Sequence, residues 1–240
     1  VEVHAGRLGV SETLRAFVAE MPFERGPIAA FLQRAALSVA PGARVADIGA
    51  GDAPYRELFE HTDYVTVDWE ASPHEGAHEA SVIASADDIP LPSESFDAVV
   101  LTQVLEHVPR PAEVLRELHR LLRPEGRLFL TAPLVWEEHE APHDYYRYTR
   151  YGLAHLLSEA GFAEVDVQPR GDAFTTLAQL MRNVSWLLPD HVGDGLDERR
   201  QAAAELLREL AEPVAALAPL DGAALLPLGF TAQAVKPARA

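Results

Sequence analysis

Between Val45 and Tyr55 the chain reads VADIGAGDAPY, an apolar strand that ends in Asp47 and breaks at once into a turn carrying Gly49 and Gly51. Glycine has no side chain and reaches left-handed angles, so such a turn lets a ligand come against the main chain, while the helical pattern that follows offers unpaired N–H groups at its start. Alone, the turn is equally compatible with a plain strand-to-helix connection. What adds weight is a second apolar run, Tyr64–Asp68. It delivers another acid about 20 residues after the first, the spacing at which doubly wound sheets bind both hydroxyls of a ribose. Ala53 and Pro54 stand where a third glycine would be expected, and Asp52 would repel a pyrophosphate. The residues point to a nucleoside-bearing cofactor without phosphates.

The same alternation continues along the chain. Arg44–Ile48, Tyr64–Asp68, Asp97–Thr102 and Arg127–Ala132 read as buried strands and Ser81–Ala84 as a weaker one. Helical patterns at Pro54–His61 and Pro111–Leu122 lie between them, which implies βαβ crossovers and a parallel sheet. Two helices come first, one capped by Ser11 and one with Pro27 in its first turn and a stop at Pro41-Gly42. After the loop Pro133–Thr149, a helix at Tyr151–Ala160 ends at Gly161, followed by a strand at Ala163–Gln168 and a terminal strand near Gly229–Val235. The Ala-, Leu-, Glu- and Arg-rich stretch Asp172–Gly222 is short for an independent core and reads as a helical insertion. The expected organisation is one domain: N-terminal helices in 1–41, a cofactor-binding core in 42–171, the insertion in 172–222 and the terminal strand in 223–240.

Composition removes several classes of function. With no cysteine, a disulfide framework, a thiolate zinc site, a cysteine nucleophile and a cysteine-held iron–sulfur cluster are excluded. A net charge of −17, with Lys236 the only lysine and no basic stripe, opposes a nucleic-acid partner. No run reaches the roughly 20 apolar residues of a bilayer span, so no membrane partner is expected and the chain reads as cytoplasmic.

Four blocks, VADIGAGDAPY, VTVDWE, DDIPLPSESFDAVVLTQVLEHVPRP and LLRPEGRLFLTAP, occur in order between about Arg44 and Phe162. Together they resemble the class I S-adenosylmethionine-dependent methyltransferases. The resemblance implies an α/β, Rossmann-like seven-stranded sheet with an antiparallel last strand and helices on both faces, here with the helical insertion before that strand. It implies S-adenosylmethionine as cofactor and S-adenosylhomocysteine as product. Asp47, Gly49 and Gly51 would surround the methionine moiety with Thr102 and Gln103 beside it, Asp68 would grip the ribose, and Trp69 would lie against adenine. The family's acid near the adenine amino group falls here on Ser85, a departure that leaves this contact open among Ser85, Asp87 and Asp88. Glu106 and His107 belong to the matching LEHV sequence, where hydrogen bonding at a helix start accounts for them as well as chemistry does.

A sulfonium is an activated methyl donor, so the protein must chiefly align an acceptor and exclude water, and a general base is optional. Pro133–Thr149 leaves the carboxyl end of a strand and is the expected acceptor wall. Its segment WEEHEAPHDYYRYT supplies His139 and His143 as candidate bases, Asp144 or Glu140 to orient an imidazole, and Tyr145, Tyr146 and Arg147 to shape a pocket. The competing reading packs the aromatics down and pairs Arg147 with Glu137 or Glu138. HEAPH matches a zinc-binding pattern that requires a helix, and Pro142 disfavours one, so no metal is expected there. His74 and His78 read as solvated loop residues. The expected acceptor is a small molecule, first of all a hydroxyl of a specialised metabolite or sugar. Transfer to carbon, nitrogen or a carboxylate, or a cofactor-binding module that moves no methyl, are the alternatives. Either the insertion or the first two helices would close the cleft, and the insertion could instead build a homodimer face.

Overall fold

The computed structural model describes residues 10–188 and 196–239. The ends of the expected N- and C-terminal segments and residues 189–195 of the expected insertion lie outside the described residues. The strands are β1 (Arg44–Ile48), β2 (Asp63–Asp68), β3 (Val82–Ile83), β4 (Phe96–Thr102), β5 (Leu122–Pro133), β6 (Ala163–Arg170) and β7 (Gly229–Val235). They form one sheet in the order β3-β2-β1-β4-β5-β7-β6. Pairings from β3 through β5 are parallel, and β7 runs antiparallel to both β5 and β6. The expected seven-stranded sheet with an antiparallel last strand is what the chain builds.

Central strands buried on both faces need near-continuous apolar runs. Val45, Ala46 and Ile48 of β1 and Ala98–Leu101 of β4 meet that need and are all buried. One face is covered by α3 (Pro111–Leu121) and α4 (Arg150–Glu159) through Leu115, Leu118, Leu153 and Leu157. The other is covered by α1 (Glu12–Glu20) and α2 (Pro22–Leu37), whose Leu14, Ile28 and Leu32 pack against Val45, Val100 and Phe129. Strand order reverses between β1 and β4, so the connections leaving their carboxyl ends diverge and open a crevice.

Local departures have local causes. Ser11 caps α1 as expected, its side chain accepting from the Leu14 N–H. The second helix starts at Pro22 rather than near Pro27, because Pro22 at its first turn needs no N–H partner. Pro27 therefore sits inside the helix, and the end falls at Leu37, ahead of Pro41-Gly42. The helical pattern at Pro54–His61 shrinks to one 3-10 turn, Arg56–Phe59, since Ala53 takes a left-handed φ of 47° and the residues before it are spent in the turn. The expected insertion supplies α5 (Ala173–Leu187) and α6 (Asp197–Ala215), with Asp172 closing a capping box on Thr175. Phe23 of α2 packs with Ala178, Ala211 and Ala215, and Arg170 at the end of β6 forms a buried ion pair with Glu24. Among the described residues no helix is long and apolar enough to cross a membrane.

Candidate active site

A cavity of about 350 Å³ opens at the crevice. This lies within the range of small-molecule sites. Its floor is the turn after β1. Gly49 and Gly51 take φ values of 68° and 53°, and a Cβ at Gly49 would stand 2.3 Å from Val104 Cγ2, so neither the backbone angle nor the space allows a side chain there. Asp47 lies on the lining, buried, with the Tyr64 hydroxyl donating to its carboxylate at 2.6 Å. Burial pushes the Asp47 carboxyl up to about 6, with the Tyr64 hydrogen bond opposing and the Asp68 charge adding.

Asp68 ends β2 and is buried beside the turn. One of its carboxylate oxygens accepts from Gly51 N–H at 2.6 Å and the other from Trp69 N–H at 2.8 Å. A carboxylate has about four lone-pair sites, so further acceptor capacity remains. Trp69 is partly exposed and meets His143 edge to face, ring centroids 5.1 Å apart, and both Asp68 and Trp69 stand off the cavity lining, Asp68 reaching it through Gly51. At the end of β4, Thr102 and Gln103 both face the cavity. Gln103 holds a left-handed φ of 53°, and its amide bridges Thr131 Oγ1 at 2.9 Å and Glu24 Oε1 at 3.1 Å. Strain of this kind persists only where neighbours over-determine it. Thr102 Oγ1 is buried without a hydrogen-bond partner.

Ser85, Asp87 and Asp88 stand off the cavity lining. Ser85 donates to Asp87 at 2.5 Å and Arg110 to the other oxygen at 2.8 Å, so those side chains are engaged with each other. The Ser85 hydrogen bond, with Arg110, holds the Asp87 carboxyl below its ordinary value.

The opposite wall comes from farther apart. His107 on the 3-10 turn Leu105–His107, together with Trp136, His139 and Glu140 of the loop after β5, lines the cavity. His107 Nδ1 lies 2.7 Å from the His143 carbonyl, and the His107 and His139 rings meet at 4.6 Å. His139 Nδ1 lies 3.2 Å from the Glu137 carbonyl and 3.3 Å from Asp144 Oδ2. Glu106 is fully buried beside them with neither carboxylate oxygen hydrogen-bonded. Desolvation pushes its carboxyl up to about 8, and the Glu24 charge adds to the shift. Glu106 lies within that 3-10 turn, five residues ahead of α3, which begins at Pro111. Sequence reasoning undervalued this pair. The signal was an acid and a histidine side by side in the loop that leaves a buried strand.

His143, Tyr145, Tyr146 and Arg147 stand off the cavity lining. His143 Nδ1 faces the Tyr145 hydroxyl at 3.2 Å, and the Tyr146 hydroxyl donates to the Pro109 carbonyl. Arg147 pairs with Asp144, not with the carboxylates of Glu137 or Glu138, and donates to the Trp136 and Glu137 carbonyls. That pairing holds Asp144 well below the usual carboxylate range. Residues 139–143 form no helix, and His143 is not among the residues gathered around His139. His74 is exposed, as read from the sequence, and it also borders the cavity, 3.6 Å from Glu140.

Among the described residues the N-terminal helices, rather than the helices of the insertion, border the cavity. Phe17, Met21, Glu24, Arg25 and Ile28 line the cavity, whereas no described residue of α5 or α6 does. The insertion acts one layer out, where Asn183 donates to Glu137 at 2.8 Å and braces the loop after β5.

Residues 46–130 match the family model described as a methyltransferase domain. The ubiquinone biosynthesis O-methyltransferase of Pseudomonas aeruginosa strain UCBPP-PA14 is 36% identical over 92 residues, 38% of this chain and 35% of that protein. The match thus spans about a third of that relative's length. A SAM-dependent methyltransferase from Archaeoglobus fulgidus superposes with a TM-score of 0.59 at 19% identity, over 92% of this chain and 98% of that one. The (4+2)-cyclase SpnF superposes with a TM-score of 0.57 at 20% identity, over 90% of this chain and 82% of that one. At such identities the likeness is one of fold.

Proposed function

We propose that the chain is a class I S-adenosylmethionine-dependent methyltransferase that transfers the cofactor's methyl group to a small-molecule acceptor, a hydroxyl of a specialised metabolite or sugar, a reading supported by the methyltransferase-domain match at residues 46–130. The observation that carries the proposal is one cavity with two unlike walls. A side-chain-free turn with Asp47 faces a cluster of imidazoles across a space lined by Phe17, Met21 and Trp136.

The residues present suit the cofactor. The Thr102 hydroxyl, buried and unpartnered on the lining, is a donor awaiting an acceptor, and Gly49 and Gly51 leave backbone rather than side chain at the floor. Asp47, Gly49, Gly51, Thr102 and Gln103 would hold the methionine moiety. Asp68 would accept from ribose hydroxyls, and Trp69 would lie by the adenine, with Ser85, Asp87 or Asp88 nearest its amino group. When bound, the cofactor supplies an electrophilic methyl on a sulfonium.

This chain's own residues do the rest. The N-terminal helices exclude water from the cavity, and Trp136 with Phe17 and Met21 gives an acceptor apolar contact. His139, whose Nδ1 is engaged with Glu137 and Asp144, turns its other ring nitrogen free to take a proton from an acceptor hydroxyl. His143 supports from outside, its carbonyl fixing His107. The relative named an O-methyltransferase favours a hydroxyl acceptor. The second reading, a cofactor-holding module whose chemistry is not methyl transfer, is favoured by the cyclase among the neighbours.

Incubating the full chain with S-adenosylmethionine and a panel of hydroxylated small molecules separates the two. Acceptor-dependent release of S-adenosylhomocysteine is the expected outcome. Tight cofactor binding with no release across hydroxyl, amine, carboxylate and carbon acceptors would favour the module.

A further inference from the structure

On the acceptor side, Glu106, His107 and His139 bring one ligand-capable atom each to within 4.8 Å of the others. The orientation of each group carries the argument. His107 Nδ1 lies against the His143 carbonyl, so in neutral imidazole that nitrogen carries the hydrogen and Nε2 is left as a lone pair. His139 Nδ1 is likewise held by the Glu137 carbonyl and the Asp144 carboxylate. Anchoring one ring nitrogen on a carbonyl or carboxylate so that the other points outward is the arrangement metal-bound histidines use.

Glu106 is 0% exposed, and neither of its oxygens has a hydrogen-bond partner. Its Oε1 lies 4.0 Å from His107 Nε2, and Glu140 Oε2 lies 3.8 Å from the same nitrogen. Among the described residues no arginine or lysine pairs with Glu106. Two imidazole lone pairs therefore converge on the partnerless Glu106 carboxyl, with Glu140 at the rim shared between His107 and His74. A buried carboxyl without a partner stays unfavourable as an anion unless it keeps its proton or a cation displaces that proton and lies beside it.

We propose that Glu106, His107 and His139, with Glu140 at the rim, form a binding site for one divalent first-row transition ion on the acceptor wall of the cavity. Two nitrogens with carboxylate oxygen suit zinc, cobalt or manganese over magnesium or calcium, which prefer all-oxygen shells. The proposal deepens the reading of the acceptor wall. There the ion would draw an acceptor hydroxyl onto itself and make its proton easier to lose, a task otherwise left to His139 alone.

The test uses the full chain dialysed against chelator and titrated with Co(II), following its visible d–d absorption and the heat of binding. One ion per chain is expected, with affinity lowered tenfold or more in Glu106→Gln and in His139→Ala and unchanged in His78→Ala, an exposed histidine outside the cluster. S-adenosylhomocysteine binding to the chelated protein is measured in parallel, so that loss of the cofactor reading is seen separately from loss of the ion. If His139→Ala does not fold, Glu106→Gln decides the matter alone. The proposal is overturned if the wild-type chain binds no Co(II), or binds it as Glu106→Gln does. It is overturned equally if the chelated chain turns over at full rate while His139→Ala does not, which would leave His139 as a simple base.

Discussion

On one wall of the cavity Asp47, Gly49 and Gly51 come from a single turn whose shape is fixed by main-chain bonds, Gly49 and Ala50 N–H both reaching the Val67 carbonyl. On the other wall His107 and His139 come from two loops and meet only because β4 and β5 lie side by side. The first wall is therefore a property of local sequence and backbone conformation. The second depends on side chains held by a surrounding frame: Arg147 on Asp144, Asn183 on Glu137, the His143 carbonyl on His107. Rigid floors suit a cofactor of fixed shape, and assembled walls suit an acceptor that varies.

This contrast can be broken or sharpened by mutation. The largest effect should come from Arg170→Met, which leaves Glu24 buried and uncompensated under the cavity. A loss of about 3 to 5 kcal/mol in denaturant unfolding is expected. Adding Glu24→Leu should restore most of that loss, and an uncorrected double variant would deny that the pair is the cause. Next, His139→Ala should lower turnover by about 100-fold while cofactor affinity stays within a few-fold, as for removal of a proton acceptor or its equivalent. His143→Ala should cost turnover far less, because its ring stands off the cavity. Equal losses in the two variants would place the second wall elsewhere.

Asp68→Ala should weaken S-adenosylhomocysteine binding by about 1 to 3 kcal/mol through lost charge-assisted hydrogen bonds, directly and through the Gly51 N–H it holds. Unchanged affinity by calorimetry would detach Asp68 from the cofactor. The smallest effect concerns pH. Asp47 titrates at about 6 in the folded protein against an ordinary 3.8. Folding therefore takes up a proton between those values, and this group's contribution makes the fold less stable as pH rises through that window. Binding the cofactor's ammonium group favours ionised Asp47, so affinity should rise several-fold from pH 5 to pH 7. Asp47→Asn should flatten both dependences, and a pH-independent wild type would argue against the assignment.

The sequence marked some parts of this molecule much better than others. Gly229–Val235 matches β7 because its alternate residues Phe230, Ala232 and Ala234 are apolar and buried in the sheet between β5 and β6, while Gln233 faces out. The turn after β1 was legible because glycine and acid requirements are local. Pro54–His61 misled because a helical spacing does not reveal that the preceding turn uses up the residues a longer helix would need. His139 lies on the cavity lining that its loop suggests, and its closeness to Glu106 and His107 is not legible in the sequence, because no spacing rule connects residues that meet only through adjacent strands. Tyr145, Tyr146 and Arg147 were drawn to the pocket by their chemistry alone, and their hydrogen bonds tie them to the frame around it.

Calorimetric titration of the full chain with S-adenosylhomocysteine bears most directly on the account. It predicts one molecule bound per chain, weakened by Asp68→Ala and by a side chain placed at Gly49. No heat of binding, together with no rise in melting temperature at saturating ligand, would contradict it.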